Sequence, residues 1–147
     1  MSRLARLQAV LGRMREVERQ AGERLAAGEA QRAAHAQSLA DLHRYAGEYR
    51  LRGQVGAIAA GSLREHQQFV ARLEQLAISQ EQALLAAERT CAQLRAEWVS
   101  QRQRSEGLQR LIERQRAQGR QRQERQEQRA LDDWVNGRPP VAALGEV

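Results

Sequence analysis

No proline interrupts the first 138 residues; the only two, Pro139 and Pro140, stand near the end of the chain. Proline breaks helices because it lacks an N–H donor and its ring clashes with the preceding turn. A chain without it over such a length can run as uninterrupted helix, and the composition favours that outcome. Leu, Ala, Gln, Glu and Arg dominate, the mix of long helices and coiled coils. Aromatic residues are 3% and charged residues 29% of the 147, and alanine, which adds little buried area, supplies much of the apolar fraction. The expected fold is all-α and extended, without a globular core.

The first arm follows a heptad. From Leu4, Leu7, Leu11 and Met14 to Leu39, Leu42, Ala46 and Tyr49 the seam positions alternate by three and four, and ten of the fourteen are apolar, as a coiled-coil seam requires. The middle, with Glu18, Gly28, Arg32 and His35 at seam positions, is the weakest stretch, so the arm needs a partner helix. The pattern stops at "LRGQVGAIAAG", residues 51–61, where three glycines mark a turn. Ser62 and Glu65 have the spacing of a capping box for the second helix. That helix reads Phe69, Leu73, Leu76, Gln80, Ala83, Ala87, Leu94, Gln101 and Leu108, with Cys91, Trp98 and Ile112 falling one position late, a drift away from an ideal supercoil.

These boundaries predict one coiled-coil domain over 1–136, with helix one at about 2–50, a turn at about 51–61, helix two at about 62–135 and a disordered tail at 137–147. Two arms joined by one short turn imply an antiparallel two-helix hairpin. If partners sum to about 118, Tyr49 meets Phe69, Tyr45 meets Leu73, Leu42 meets Leu76 and Leu7 lies near Leu111. Such a hairpin would be on the order of 70–80 Å long, and α-helix beyond residue 116 or so would form a C-terminal overhang.

Two of the five aromatic residues, Tyr45 and Tyr49, lie in "LHRYAGEYR", residues 42–50, and Phe69 lies in "EHQQFVARLE". Leu42, Tyr45 and Tyr49 make one stripe on the first arm; Phe69, Leu73, Leu76 and Gln80 make another on the second. Folded together they form one patch near the turn. A two-helix rod cannot fully bury so many large side chains in adjacent layers, so apolar surface should remain exposed there, as it does at partner sites.

The net charge is +6, and it is uneven. Residues 102–129 hold nine Arg against four Glu, making the overhang basic and suited to an anionic surface. Cys91, the only cysteine, excludes an internal disulfide and suggests a reducing compartment; its expected place is in the seam. No run of 18 apolar residues exists to span a membrane. The Arg-rich opening has a transit-like look, but its leucine spacing continues into the next turns, so it reads as the start of a helix in a cytoplasmic protein. His35 and His43 have no acid or cysteine beside them to complete a metal set, and His66 reads as an exposed helix residue. No phosphate loop or zinc-protease motif is present, and two extended helices offer no pocket for a small substrate. No enzyme activity, cofactor or metal is expected.

Four stretches resemble the FliJ family of flagellar type III export proteins: "LHRYAGEYR" at 42–50, "HQQFVARLE" at 66–74, "LRAEWVSQRQRSEGLQRLIERQ" at 94–115 and "RQERQEQRALDDW" at 122–134. Their order and separation match as well, so the likeness covers nearly the whole chain. The resemblance implies an antiparallel coiled coil similar to the central stalk of rotary ATPases. Such a stalk inserts in the ring of the flagellar export ATPase, promotes its assembly and activity, binds the cytoplasmic domain of the export-gate membrane protein, and interacts with substrate-specific export chaperones. It would sit in the cytoplasm, peripheral to the membrane. Carried over by position, the gate contact would be Leu42, Tyr45, Tyr49, Phe69, Leu73, Leu76 and Gln80. Leu76 stands where the family can have a smaller residue, and Gln80 where it can have a histidine. The ATPase contact would be Leu4, Leu7, Leu11 and Met14 with Arg114, Arg122, Arg125, Arg129 and Trp134.

Three other readings share the architecture. One is the stalk of a virulence type III secretion system. Another is a basic coiled coil that binds nucleic acid through 102–129. That stretch has no lysine and four interrupting glutamates, and the expected role of its charge is a solvated helical face. The third is a plain spacer, for which the aromatic patch would matter to stability alone.

Overall fold

The computed structural model describes residues 2–55 and 60–137. They form two helices, α1 (Arg3–Val55) and α2 (Ala60–Val135), packed against each other in antiparallel sense. Of the turn expected at 51–61, residues 51–55 belong to α1 and residues 60–61 to α2. Residues 56–59 and the expected tail beyond Gly137 lie outside the described residues. Ser62 lies inside α2, so the expected capping box does not cap it. The cap that does form is at Ser2, whose Oγ accepts from the Ala5 N–H at 3.1 Å, satisfying one of the unpaired donors of the first turn. At the other terminus Gly137 adopts φ +73° and its N–H donates to the Trp134 carbonyl at 3.2 Å. Glycine takes this left-handed conformation without the Cβ penalty.

The chain divides into two compact units. One is Glu16–Arg102; the other joins the start of α1, as far as Arg15, to α2 from Gln103 onward.

In the Glu16–Arg102 unit the register is close to the expected one. Tyr49 meets Phe69, Gly22 lies beside the Trp98 ring and Gly28 beside Leu94, pairs whose numbers add to 118, 120 and 122. Every seam position read from the first arm is half-buried or buried here. The second arm needs correcting. Phe69 and Leu76 remain 37% and 54% exposed, whereas Val70 is half-buried and Ala77 is buried. The seam therefore passes through Val70, Ala77 and Leu84, and Cys91 and Trp98 follow at strict seven-residue steps. The apparent drift came from following the larger side chains one position off the seam.

Small residues bring the helices together. Ala21, Ala46, Ala77 and Cys91 are buried, and Gly28 lets α2 approach so closely that a Cβ there would lie 2.8 Å from Leu94 Cδ1. The indole of Trp98 occupies the space left by Gly22, 3.3 Å from where a Cβ would stand. Charged residues line the edge. Arg95 donates to Glu29 at 2.7 Å, Arg50 pairs with Glu74, and Arg32 pairs with Glu29 on the same helix at 2.9 Å. The guanidinium of Arg32, and secondarily that of Arg95, holds the Glu29 carboxyl below its ordinary value. Exposed pairs of this kind contribute little to stability; here they fix which edges face.

In the terminal unit Leu4, Leu7, Leu11 and Met14 are half-buried against α2. Ile112, only 1% exposed, is the largest fully buried side chain among the described residues. It too lies on the strict heptad rather than one position late. Arg15 crosses to Gln109 Oε1 at 2.7 Å. Ser105 is 4% exposed and its hydroxyl has no hydrogen-bond partner among the described residues. An unsatisfied buried donor carries its full desolvation cost, and serine is a poorer helix former than alanine. Ser105→Ala is therefore expected to stabilise the protein by about 1 kcal/mol, read from chemical denaturation; a loss of stability instead would mean that the hydroxyl has a partner.

Candidate functional site

Around the turn, α1 and α2 bring together the two stripes that the sequence placed there, but their members do different work. Tyr49, half-buried, is tilted against Phe69 with ring centroids 4.6 Å apart. Its other neighbour is His66, stacked at 5.0 Å and 17°. Sequence reasoning left His66 on the surface, and the signal that could have found it is Gly53. A methyl group at that position would overlap the imidazole, so the glycine makes room for the histidine. The Arg72 guanidinium lies 5.9 Å from the Phe69 centroid.

Leu42 and Leu73 are half-buried in the seam. Gln80 also turns inward: its Oε1 lies 3.0 Å from His35 Nδ1, within hydrogen-bond distance. The outward part of the patch is Tyr45, 57% exposed, with Leu76 and the edge of Phe69. Tyr45 and Leu76 face each other across a cleft whose walls include Leu42, Asp41 and Gln80. This is an apolar surface with a polar rim.

The terminal unit offers a different surface. Leu4, Leu7, Leu11 and Met14 are committed to the seam, so of the residues expected to meet the ATPase they hold the hairpin closed. From Gln118 to Asp132 every residue of α2 is exposed. The start of α1 reaches α2 as far as a cleft lined by Arg3, Gln115, Gln118, Gly119 and Arg122. Beyond that point the helix continues without a partner among the described residues. Arg114, Arg122, Arg125 and Arg129 project from exposed positions, and Trp134 is 76% exposed. Arg122, Arg125 and Arg129 are spaced three and four apart, so they share one face, and none makes an ion pair among the described residues.

Among the described residues no cluster of His, Cys, Asp and Glu could hold a metal ion, and no helix is long and apolar enough to cross a membrane. Cys91 is buried in the seam. Compared with known protein families, the chain matches the model described as "Flagellar FliJ protein" over residues 2–138. Comparison with curated proteins and with solved structures returns no match.

Proposed function

The chain belongs to the flagellar FliJ family, whose members are non-enzymatic components of the flagellar export apparatus, and from that premise we propose that it serves as the stalk of the export ATPase. In this reading it enters the ATPase ring, promotes ring assembly and hydrolysis, and links the ring to the cytoplasmic domain of the export gate and to export chaperones. It works in the cytoplasm at the membrane face.

The observation that carries the reading is the stretch of α2 from Gln118 to Asp132, helical and exposed throughout, with four Arg against three acids and no partner among the described residues. A helix with no apolar face to bury gains little from standing alone, and its exposed arginines suit a contact that is attractive but screened by salt. A stalk that must engage a ring without locking in it needs a contact of that kind. The Tyr45, Leu76 and Phe69 surface supports a second, apolar contact with the gate, with Tyr49, Leu42, Leu73 and Gln80 holding it in shape. Leu4, Leu7, Leu11 and Met14 support the ATPase contact indirectly, by fixing the base of the extension. The reading is tested by adding the full chain to the export ATPase from the same source. Rising hydrolysis and oligomer size, both weaker at high salt, are expected; no effect on either would remove the stalk role.

The gate contact has its own test. Tyr45→Ala with Leu76→Ala is expected to weaken binding to the gate domain by about 10-fold or more, since a buried aromatic anchor contributes about 1–2 kcal/mol. Stability should change by less than about 0.5 kcal/mol, as at other exposed positions. Calorimetric titration together with thermal melting separates the two quantities. Unchanged binding would mean that the aromatics only close the end of the hairpin.

A further inference from the structure

A second apolar stripe runs along the Glu16–Arg102 unit, on the edge where the two helices exchange charges. On α2 it consists of Ile78, Leu85, Ala92 and Val99, seven residues apart, with Ile78 48%, Leu85 51% and Val99 38% exposed. On α1 it consists of Ala26, Ala33 and Ala40, all exposed, and Gly47, where a Cβ would meet nothing within 4 Å. Six of its eight members lie one helical turn from a residue of an interhelical ion pair: Ala26 and Ala33 from Glu29, Ala92 and Val99 from Arg95, Ile78 from Glu74, Gly47 from Arg50. The two rows therefore share one side of the hairpin. None of these residues belongs to the aromatic patch or the basic extension. A heptad of large apolar side chains facing water is a seam without its other half.

The charges beside the stripe say what that half is. On α2 they read acidic at Glu74, Glu81 and Glu88, then basic at Arg95 and Arg102. On α1 the order is Glu29 first, with Arg50 later. The sign reverses between Glu88 and Arg95 on α2 and between Glu29 and Arg50 on α1, and the apolar rows themselves are centred near residues 88–89 and 36–37. The ion pairs Glu29–Arg95 and Arg50–Glu74, whose numbers add to 124, place those two midpoints level with each other. A surface whose charges reverse about its own centre is complementary to itself after a half-turn.

The geometry points to a second copy of this chain as the occupant, docked face to face and antiparallel, giving a four-helix arrangement about a two-fold axis at that midpoint. In this arrangement Leu85 comes against Ala92 of the second copy, Ile78 against its Val99, and Glu81 against its Arg95. Leu85 finds a place prepared for it: a cleft lined by Glu29, Arg32, Glu88, Cys91, Ala92 and Arg95 opens beside Ala92, with an apolar floor and a charged rim. On α1 the alanines and Gly47 meet their own counterparts, and their small size allows close approach. One element opposes association. Glu88 lies nearly on the axis and faces its own copy, moderated by the Arg32 charge beside it.

The test is the mass of the full chain as a function of concentration, by sedimentation equilibrium. The native chain is expected to rise from 16.6 kDa toward twice that value. Leu85→Glu, at a position that does not hold the hairpin, should keep its helicity and raise the dissociation constant by about 30-fold or more. Glu88→Gln should lower it several-fold by removing the like-charge contact. In a Cys91→Ala background, mixed Leu85→Cys and Ala92→Cys chains should form a disulfide-linked pair. A native chain that stays single at every concentration overturns the proposal, as does a Leu85→Glu chain that associates equally well. So does cross-linking of Leu85→Cys only with itself, which marks parallel packing. None of these read-outs involves the export ATPase, so their failure leaves the stalk reading untouched.

Discussion

Ile112→Ala destabilises the terminal unit by about 3 kcal/mol, the expected cost of truncating a fully buried isoleucine and leaving a cavity. Leu111→Ala, one residue earlier and 36% exposed, costs less than about 1 kcal/mol. The contrast is large because a two-helix seam is thin: most of its leucines are only half-buried, and no second layer can collapse into the space that Ile112 leaves. The loss is concentrated near the ends of the arms, which open more readily than the middle. Amide exchange in residues 3–15 and 103–117 is therefore the best read-out, with acceleration of roughly 100-fold for a loss of this size. Circular dichroism under increasing denaturant gives the global counterpart. Equal effects at the two positions would mean that α2 does not present Ile112 to α1.

Reversing the charge of the extension is expected to have the largest functional effect. Arg122→Glu, Arg125→Glu and Arg129→Glu together change the net charge from +6 to zero, each substitution removing two charges. All three positions are exposed and make no ion pair among the described residues, so the hairpin should keep its stability. Stimulation of the export ATPase should fall by about 10-fold or more, since three close contacts of about 0.5–1 kcal/mol each are converted from attraction to repulsion. The neutral series Arg→Gln at the same positions separates charge from helix formation, because glutamine propagates a helix nearly as well as arginine. It should lose stimulation only in part. Native stimulation should also weaken as salt rises. If hydrolysis and ring assembly are unchanged by the charge-reversed chain, the extension is not the ATPase contact, even if another part of the protein is.

The aromatic patch shows how far sequence reasoning carries for a candidate site and where it stops. Tyr49 against Phe69 was legible because one turn and one register bring them together. The stack of His66 on Tyr49 was not, because it depends on a space that Gly53 leaves in the other helix. Gln80 was legible as a patch residue by position, yet its amide points to the half-buried His35 on the other helix. Phe69 and Leu76 looked like seam residues because they are large and apolar. The seam instead took Val70 and Ala77, since two helices drawn together by small residues have little room for large ones.

By itself the sequence determined that the chain is helical, that it folds back once, and that its arginine surplus gathers over residues 102–129. These follow from the absence of proline, the three-four alternation and the glycine cluster, all of which act locally along the chain. Only the tertiary structure decided which of two adjacent apolar rows on α2 faces α1, leaving the other to form an exposed stripe. Periodicity alone does not separate rows one residue apart on the same helix. Packing does, because interhelical distance is set by the smallest residues that meet, and these can be found only once both helices are in place.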